Sequence, residues 1–312
     1  MLTHGKPSHV AQCLELALLL EASAHKPGNV SIVTDFENTH YEHFLASAVA
    51  AGPHFEQAAQ RGITLADGKI AANQIRVGQI IRDCVASINE WQHGGNTLLG
   101  AVILLSPIAV AAGMTKGEKL DLQEMRRNLK LVAESTTPQD AADVYEAIRL
   151  ANPAGLGKAP RLDVNDPSST RRMLEEGTTL YQVFKIAESY DTICSEWVNN
   201  YPITFEEIYP MLGKLLSSSI QPAKTTLRTF LEILSRHPDT FIARKGGLER
   251  ARAVAAKARG ILDAGPETVE GRRILDAFDF ELRQSGNLLN PGTTADLIAA
   301  GLALCVLGGY RP

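Results

Sequence analysis

The chain has 312 residues, 45% hydrophobic and 21% charged, with a formal net charge of −4. A chain of this length buries roughly 75% of the surface its unfolded form exposes, so a full core is available. The mildly negative balance argues against a nucleic-acid partner, which needs a basic face, and leaves room for a local basic pocket.

In chain order, helical periodicity dominates. Val10–Ala24 carries an apolar stripe at Val10, Leu14, Ala17 and Leu18, and Tyr41–Ala51 repeats it with Phe44, Leu45 and Ala48. Between them Asn29–Thr34 reads as a short extended piece, the only stretch of strand character. Ile70–Trp91 follows as one long helix, then Leu98–Ala112, Asp121–Glu134 and Gln139–Ala151. Residues Asn152–Glu176, with three prolines and two glycines in Asn152–Pro167, form an irregular segment. A loop of that length in a compact domain is usually functional. Helices resume at Thr179–Asn199, Phe205–Leu216, Ala223–Arg236, Gly247–Asp263, Val269–Ser285 and Thr294–Leu307. The pattern predicts a single all-α domain over 1–312, a multi-helix bundle around a buried central apolar helix pair.

The run Leu14–Leu20 is interrupted by Glu15 and ended by Glu21, unlike a signal peptide. Leu98–Met114 contains Ser106 and Pro107 and falls short of the ~20 residues a membrane span needs. Cys13, Cys84, Cys194 and Cys305 are dispersed, without a C-x-x-C pair, as free buried thiols would be. A cytoplasmic chain with no membrane partner is expected.

Four segments share one grammar, glycine beside small polar or basic residues: Lys26-Pro27-Gly28-Asn29, Gly94-Gly95-Asn96-Thr97, Arg244-Lys245-Gly246-Gly247 and Asn290-Pro291-Gly292-Thr293-Thr294. Free amides at a helix start attract anions, so these segments with Lys26, Arg244 and Lys245 fit a nucleotide triphosphate. The same residues also fit ordinary caps and turns. No Walker A loop or G-x-G-x-x-G is present. Carboxylates recur nearby. Asp35 follows the first segment, Asp296 the last, and Asp143 sits in an otherwise apolar helical stretch. Asp296 could equally complement a helix dipole. Glu21 is anomalous: it closes an apolar helix at the end where the dipole disfavours an anion, and so requires Lys26 or a metal as partner. His40 and His43 have H-x-x-H spacing but no third ligand nearby, which argues against zinc.

The stretches Glu21-Ala-Ser-Ala-His-Lys26-Pro27-Gly28, Gly95-Asn96-Thr97-x-x-Gly100 and Asn290-Pro-Gly292-Thr-Thr294-Ala-Asp296-Leu297 occur in the order found in the triphosphoribosyl-dephospho-CoA synthase family, which the chain resembles from about residue 20 to 307. Asp239-Thr240 through Gly246 also looks like a family segment. The resemblance implies an all-helical transferase that joins ATP to dephospho-CoA and releases adenine, with Mg²⁺ on the triphosphate. It implies small nucleotide substrates as partners and leaves a homodimer open. It assigns Glu21, Asp35, Asp143 and Asp296 to metal binding or base catalysis, with Glu21, Asp35 and Asp296 as the metal set. Lys26, Gly28, Asn96, Thr97, Arg244, Lys245, Asn290, Gly292 and Thr294 would hold the nucleotide. The chain departs from the family at Asn96-Thr97-Leu98, where the third residue is usually His, and at Asn38–His43. A Thr-His-Gly segment is also not evident. These departures bear on the acceptor. They leave two alternatives, another acceptor in one-carbon cofactor biosynthesis and a nucleotide sensor without catalysis.

Overall fold

The computed structural model describes residues 5–117, 120–157, 159–217, 221–284 and 286–312. Among these the chain is all-α, with no strand beyond two isolated bridges, Ser31–Thr34 and Phe36–Thr39. The extended piece expected at Asn29–Thr34 is therefore part of two successive tight turns.

Six helices form the first half: α1 (Lys6–Ser23), α2 (Tyr41–Ala66), α3 (Val77–Trp91), α4 (Leu99–Met114), α5 (Leu122–Glu134) and α6 (Pro138–Ala151). The second half holds α7 (Pro167–Glu176), α8 (Leu180–Ala187), α9 (Thr192–Val198), α10 (Tyr209–Leu216), α11 (Pro222–Arg236), α12 (Thr240–Gly246), α13 (Leu248–Ala264), α14 (Val269–Gln284) and α15 (Gly292–Leu307). Ser285, the expected end of α14, lies outside the described residues.

Three departures from the periodic reading have side-chain causes. The expected helix over Ile70–Trp91 begins only at Val77, because Arg76 adopts φ 55° and the guanidinium of Arg61 takes the carbonyls of Ile75 and Arg76 at 2.7 and 3.1 Å. The expected helix over Thr179–Asn199 breaks between α8 and α9. There the Asp191 carboxylate caps α9 by accepting the amides of Ile193 and Cys194. Ahead of α10, Ile203–Ile208 is a π-helical turn. Glu196 accepts the amides of Ile203 and Thr204 at 2.9 and 3.0 Å, drawing that turn wide. Two helices sit where none was expected: α7 in the second half of the irregular segment, and α12 just before Gly247. Arg244 and Lys245 thus close α12 as well as preceding α13.

Helix α4 is buried at every position from Ala101 to Met114, and α15 along nearly all its length. Both are surrounded by α1, α2 and their neighbours, so neither shows an amphipathic stripe. The α2–α4 crossing is backbone on backbone. A Cβ on Gly113 would sit 2.0 Å from the carbonyl oxygen of Ala59, and one on Gly62 equally close to that of Val110. Gly113→Ala is therefore expected to destabilise the fold by about 2 kcal/mol or more through overpacking that no side-chain shift relieves. Urea unfolding checks this. None of the described helices is long and apolar enough to cross a membrane.

Candidate active site

A cavity of about 240 Å³ opens where the 21–44 region, the start of α4, the 152–166 segment, α8–α9 and the α12–α15 region meet. Of the residues singled out in the sequence, Glu21, Asn96, Thr97, Arg244, Asn290, Gly292 and Asp296 line it.

Glu21 and Asp296 form its acidic end. Glu21 makes an ion pair with Lys26 Nζ, Oε1 to Nζ 3.0 Å. Lys26 itself is only 1% exposed and donates to the carbonyls of Glu21 and Ala24 at 2.5 and 2.9 Å. It stands behind Glu21, outside the cavity lining, with its donors directed at its own turn. This explains the acid at a helix end: the lysine folds back to neutralise it. Asp296, on the first turns of α15, has its carboxyl raised well above the ordinary carboxylate range. Burial is the main cause, followed by the negative charges of Glu21 and Asp239, against one amide bond from Ala101. Gly100 makes room for it, since a Cβ there would fall 2.1 Å from Asp296 Oδ2. The first turn of α4 and the first turns of α15 therefore meet at this carboxylate.

One buried acceptor on this wall has no partner, Asn290 Oδ1, while Glu21 Oε1 is met only by the Lys26 ammonium. Unpaired buried oxygens cost about 1–3 kcal/mol each and mark a place where another donor or cation fits. Asn96 serves two ends, its Oδ1 accepting the amide of Leu99 at 3.1 Å while the residue faces the cavity. Thr97 shares a 2.7 Å hydrogen bond with Ser47.

Several other candidates stand one layer back. The amide of Gly28 donates to Asp279 at 2.7 Å, and Arg283 clamps the same turns through Asp279, Asn29 O and Thr34. Thr294 donates its amide and hydroxyl to Asp239 at 2.7 and 2.8 Å. Asp239 also caps α12 through the amides of Phe241 and Ile242, so one buried carboxylate ties α12 to α15. Lys245 lies over the Phe241 ring at 3.8 Å and donates to the carbonyl of Asn287; burial lowers its pKa to about 8.

Arg244 lines the cavity but is held by Asp191 in an ion pair. It is the only cationic side chain in the lining among the described residues. Asp191, with Phe36, Phe44, Phe241, Tyr145 and Tyr190, was not a sequence candidate. Asp191 lies inside the helix expected over Thr179–Asn199, so the sequence offered no helix start to mark it as a cap.

Two candidates are placed elsewhere. Asp35 caps α2 by accepting the amide of Tyr41 at 2.9 Å and faces His40 at 3.4 Å, half exposed. Asp143 is buried against Arg82 and Arg76 at 2.7 and 3.2 Å, joining α6 to α3. Neither lines the cavity, so the acids gathered there are Glu21, Asp191 and Asp296. His43 accepts the amide of His40 at 2.9 Å within the α2 capping box, which accounts for the H-x-x-H spacing.

A family profile described as CitG, ATP:dephospho-CoA triphosphoribosyl transferase, matches residues 7–312. The chain is 27% identical over 261 residues to a protein of Stutzerimonas stutzeri (strain A1501) named probable 2-(5''-triphosphoribosyl)-3'-dephosphocoenzyme-A synthase. The match covers 83% of this chain and 77% of that protein. A Pseudomonas fluorescens (strain Pf-5) protein of the same name is 24% identical over 260 residues, covering 83% of this chain and 76% of its own length. A crystal structure from Archaeoglobus fulgidus, provisionally assigned as a triphosphoribosyl-dephospho-CoA synthase, superposes with a TM-score of 0.64 at 26% identity, over 87% of this chain and 100% of that one. Matched from residue 7 to residue 312, the chain belongs to the ATP:dephospho-CoA triphosphoribosyl transferase family, a family of transferases.

Proposed function

We propose that the chain transfers the triphosphoribosyl group of ATP to dephospho-CoA and releases adenine. The observation that carries this reading is that Glu21 and Asp296, close enough for the charge of one to act on the other, line one cavity together with Asn96 and Asn290. In the reaction an acceptor hydroxyl attacks C1′ of the ATP ribose. The C1′–N9 bond breaks, its electrons leave with adenine, and the hydroxyl proton must be removed. The ribose carbon becomes oxocarbenium-like on the way. A carboxylate beside such a centre stabilises the positive charge and takes the proton. Burial and the neighbouring carboxylates favour the neutral form of Asp296, so the positive charge developing at C1′, or a bound Mg²⁺, would be what brings it to the carboxylate that takes the proton, and Gly100 leaves room for it. Glu21, held by its ion pair with Lys26, stands next to Asp296.

A triphosphate brings far more negative charge than Arg244 can balance, and Arg244 is already paired with Asp191. Mg²⁺ fits this wall. The Glu21 and Asp296 carboxylates and the unpaired Oδ1 of Asn290 are all hard oxygen donors. Among the described residues no group of three or more His, Cys, Asp or Glu converges, so phosphate oxygens and water would complete the shell, as is usual for Mg²⁺. When bound, Mg²⁺ would neutralise the phosphates. Asn96, Thr97, Asn290 and the amides at the start of α15 would orient sugar and phosphate oxygens.

The test is to incubate the protein with ATP, Mg²⁺ and dephospho-CoA and to measure free adenine. Stoichiometric adenine release with growth of a triphosphoribosylated product is expected. ATP binding without adenine would favour a sensor, and release with a different acceptor would move the substrate but keep the chemistry.

A further inference from the structure

The acidic end accounts for only part of the cavity. The rest of its lining includes an apolar arm, Ile148, Leu156, Val164, Val183, Phe184 and Ile193, from the 152–166 segment and from α6, α8 and α9, which pack in succession on one another. Among the described residues no charged side chain enters this arm beyond the Asp191–Arg244 pair, which is electrostatically coupled both to Tyr190 on the arm side and, through Arg244, to Asp296. The wall formed by the 152–166 segment is built, not draped. Tyr145 donates to the carbonyl of Leu162, and Asp163 accepts the amides of Ala159 and Asn165 at 2.8 and 2.7 Å. Gly155, at φ +73°, lies so close to Lys245 that a Cβ would meet its Cγ at 2.2 Å. The segment therefore crosses from α6 to α12 and roofs the arm.

A triphosphate cannot be held in such an arm, whose apolar walls carry no cation of their own and would strip the phosphates of water. Resting on the reaction proposed above, we infer that the arm binds the uncharged pantetheine chain of dephospho-CoA. That chain is the one long segment of either substrate without a phosphate. The donor then lies at the Glu21–Asp296 end, and the acceptor enters beneath the 152–166 segment. The Asp191–Arg244 pair marks the join. Leu156 and Ala159 are thereby residues that determine acceptor specificity, with no part in ATP binding.

The test uses the full chain with Leu156→Asp and Ala159→Glu, each placing a carboxylate in the arm from the roofing segment. KM for dephospho-CoA should rise at least tenfold, with KM for ATP within twofold of wild type, and Leu156→Met should restore the acceptor KM. Calorimetry with free pantetheine gives a readout without turnover: binding to wild type, and weakening of at least tenfold in both charged variants. A rise in the ATP KM alone would overturn the assignment by giving the arm to the adenine of the donor, and unchanged KM values in both variants would also overturn it. If wild type releases no adenine, the reaction proposed above fails. The arm assignment is then decided by pantetheine binding alone, and absence of that binding overturns it.

Discussion

Asp296→Asn is expected to lower turnover by about 100-fold or more while leaving the folded state intact. The substitution keeps the volume beside Gly100 and resembles the protonated carboxyl that burial already favours. It removes the group able to take the acceptor proton or balance charge at C1′, a loss typically worth 10²–10³ in rate. Adenine release at saturating ATP and acceptor measures it. The pH dependence of stability gives an independent readout. The folded-state pKa of Asp296 is raised, so the folded protein retains a proton that the unfolded chain gives up near the ordinary aspartate value of about 3.9. Stability from this group is complete below that value and is lost as pH rises through the raised folded value. Asp296→Asn should flatten that part of the profile, so the substituted protein gains stability relative to wild type as pH rises through the window. Turnover within threefold of wild type would remove Asp296 from the chemistry.

Lys26→Met is expected to act on the fold first. It would leave Glu21 charged, nearly enclosed and unpaired, and would strip the carbonyls of Glu21 and Ala24 of their donor. Removing one member of a buried ion pair costs about 3–5 kcal/mol, much of the total stability of an average domain. Denaturant unfolding should show a loss of this size, and the double substitution Glu21→Leu with Lys26→Met should recover most of it. A direct phosphate contact by Lys26 would give the opposite result: a normally stable protein whose affinity for ATP alone has fallen.

Most helices, the short α7 and α12 apart, were legible because their apolar residues repeat at the helical period, and α4 and α15 stand out by continuous hydrophobicity. The breaks were not. Whether Thr179–Asn199 is one helix or two depends on Asp191 turning its carboxylate onto the amides of Ile193 and Cys194, and an aspartate within a periodic run looks the same either way. The acidic end of the site left a trace in the chain, because Glu21 violates the helix dipole and Asp296 follows a glycine-rich turn. Lys26 was visible as a partner for Glu21, but its burial was not, since that depends on how the turn folds back. The ion pairs of Asp143 were hidden because Arg76 and Arg82 lie more than sixty positions away. The apolar arm left no signal: Leu156, Val183 and Ile193 differ in no local way from core residues, and only the three-dimensional arrangement leaves space between them.

The α2–α4 crossing has an evolutionary consequence. With carbonyls of α2 and α4 facing glycines of the opposite helix, the two move as one body, and the Gly100 face that seats Asp296 is inherited from that body. Substitution in the core would shift the reacting groups and would be punished in rate and stability together. The roofing segment meets the body at Tyr145 and Lys245, and not through the Lys26 ion pair of Glu21 or the Gly100 seat of Asp296, so its lining residues can drift in sequence without disturbing either. Reaction and recognition thus reside in parts of the molecule that can change at different rates, and a lineage can acquire a new acceptor while retaining its ribosyl-transfer chemistry.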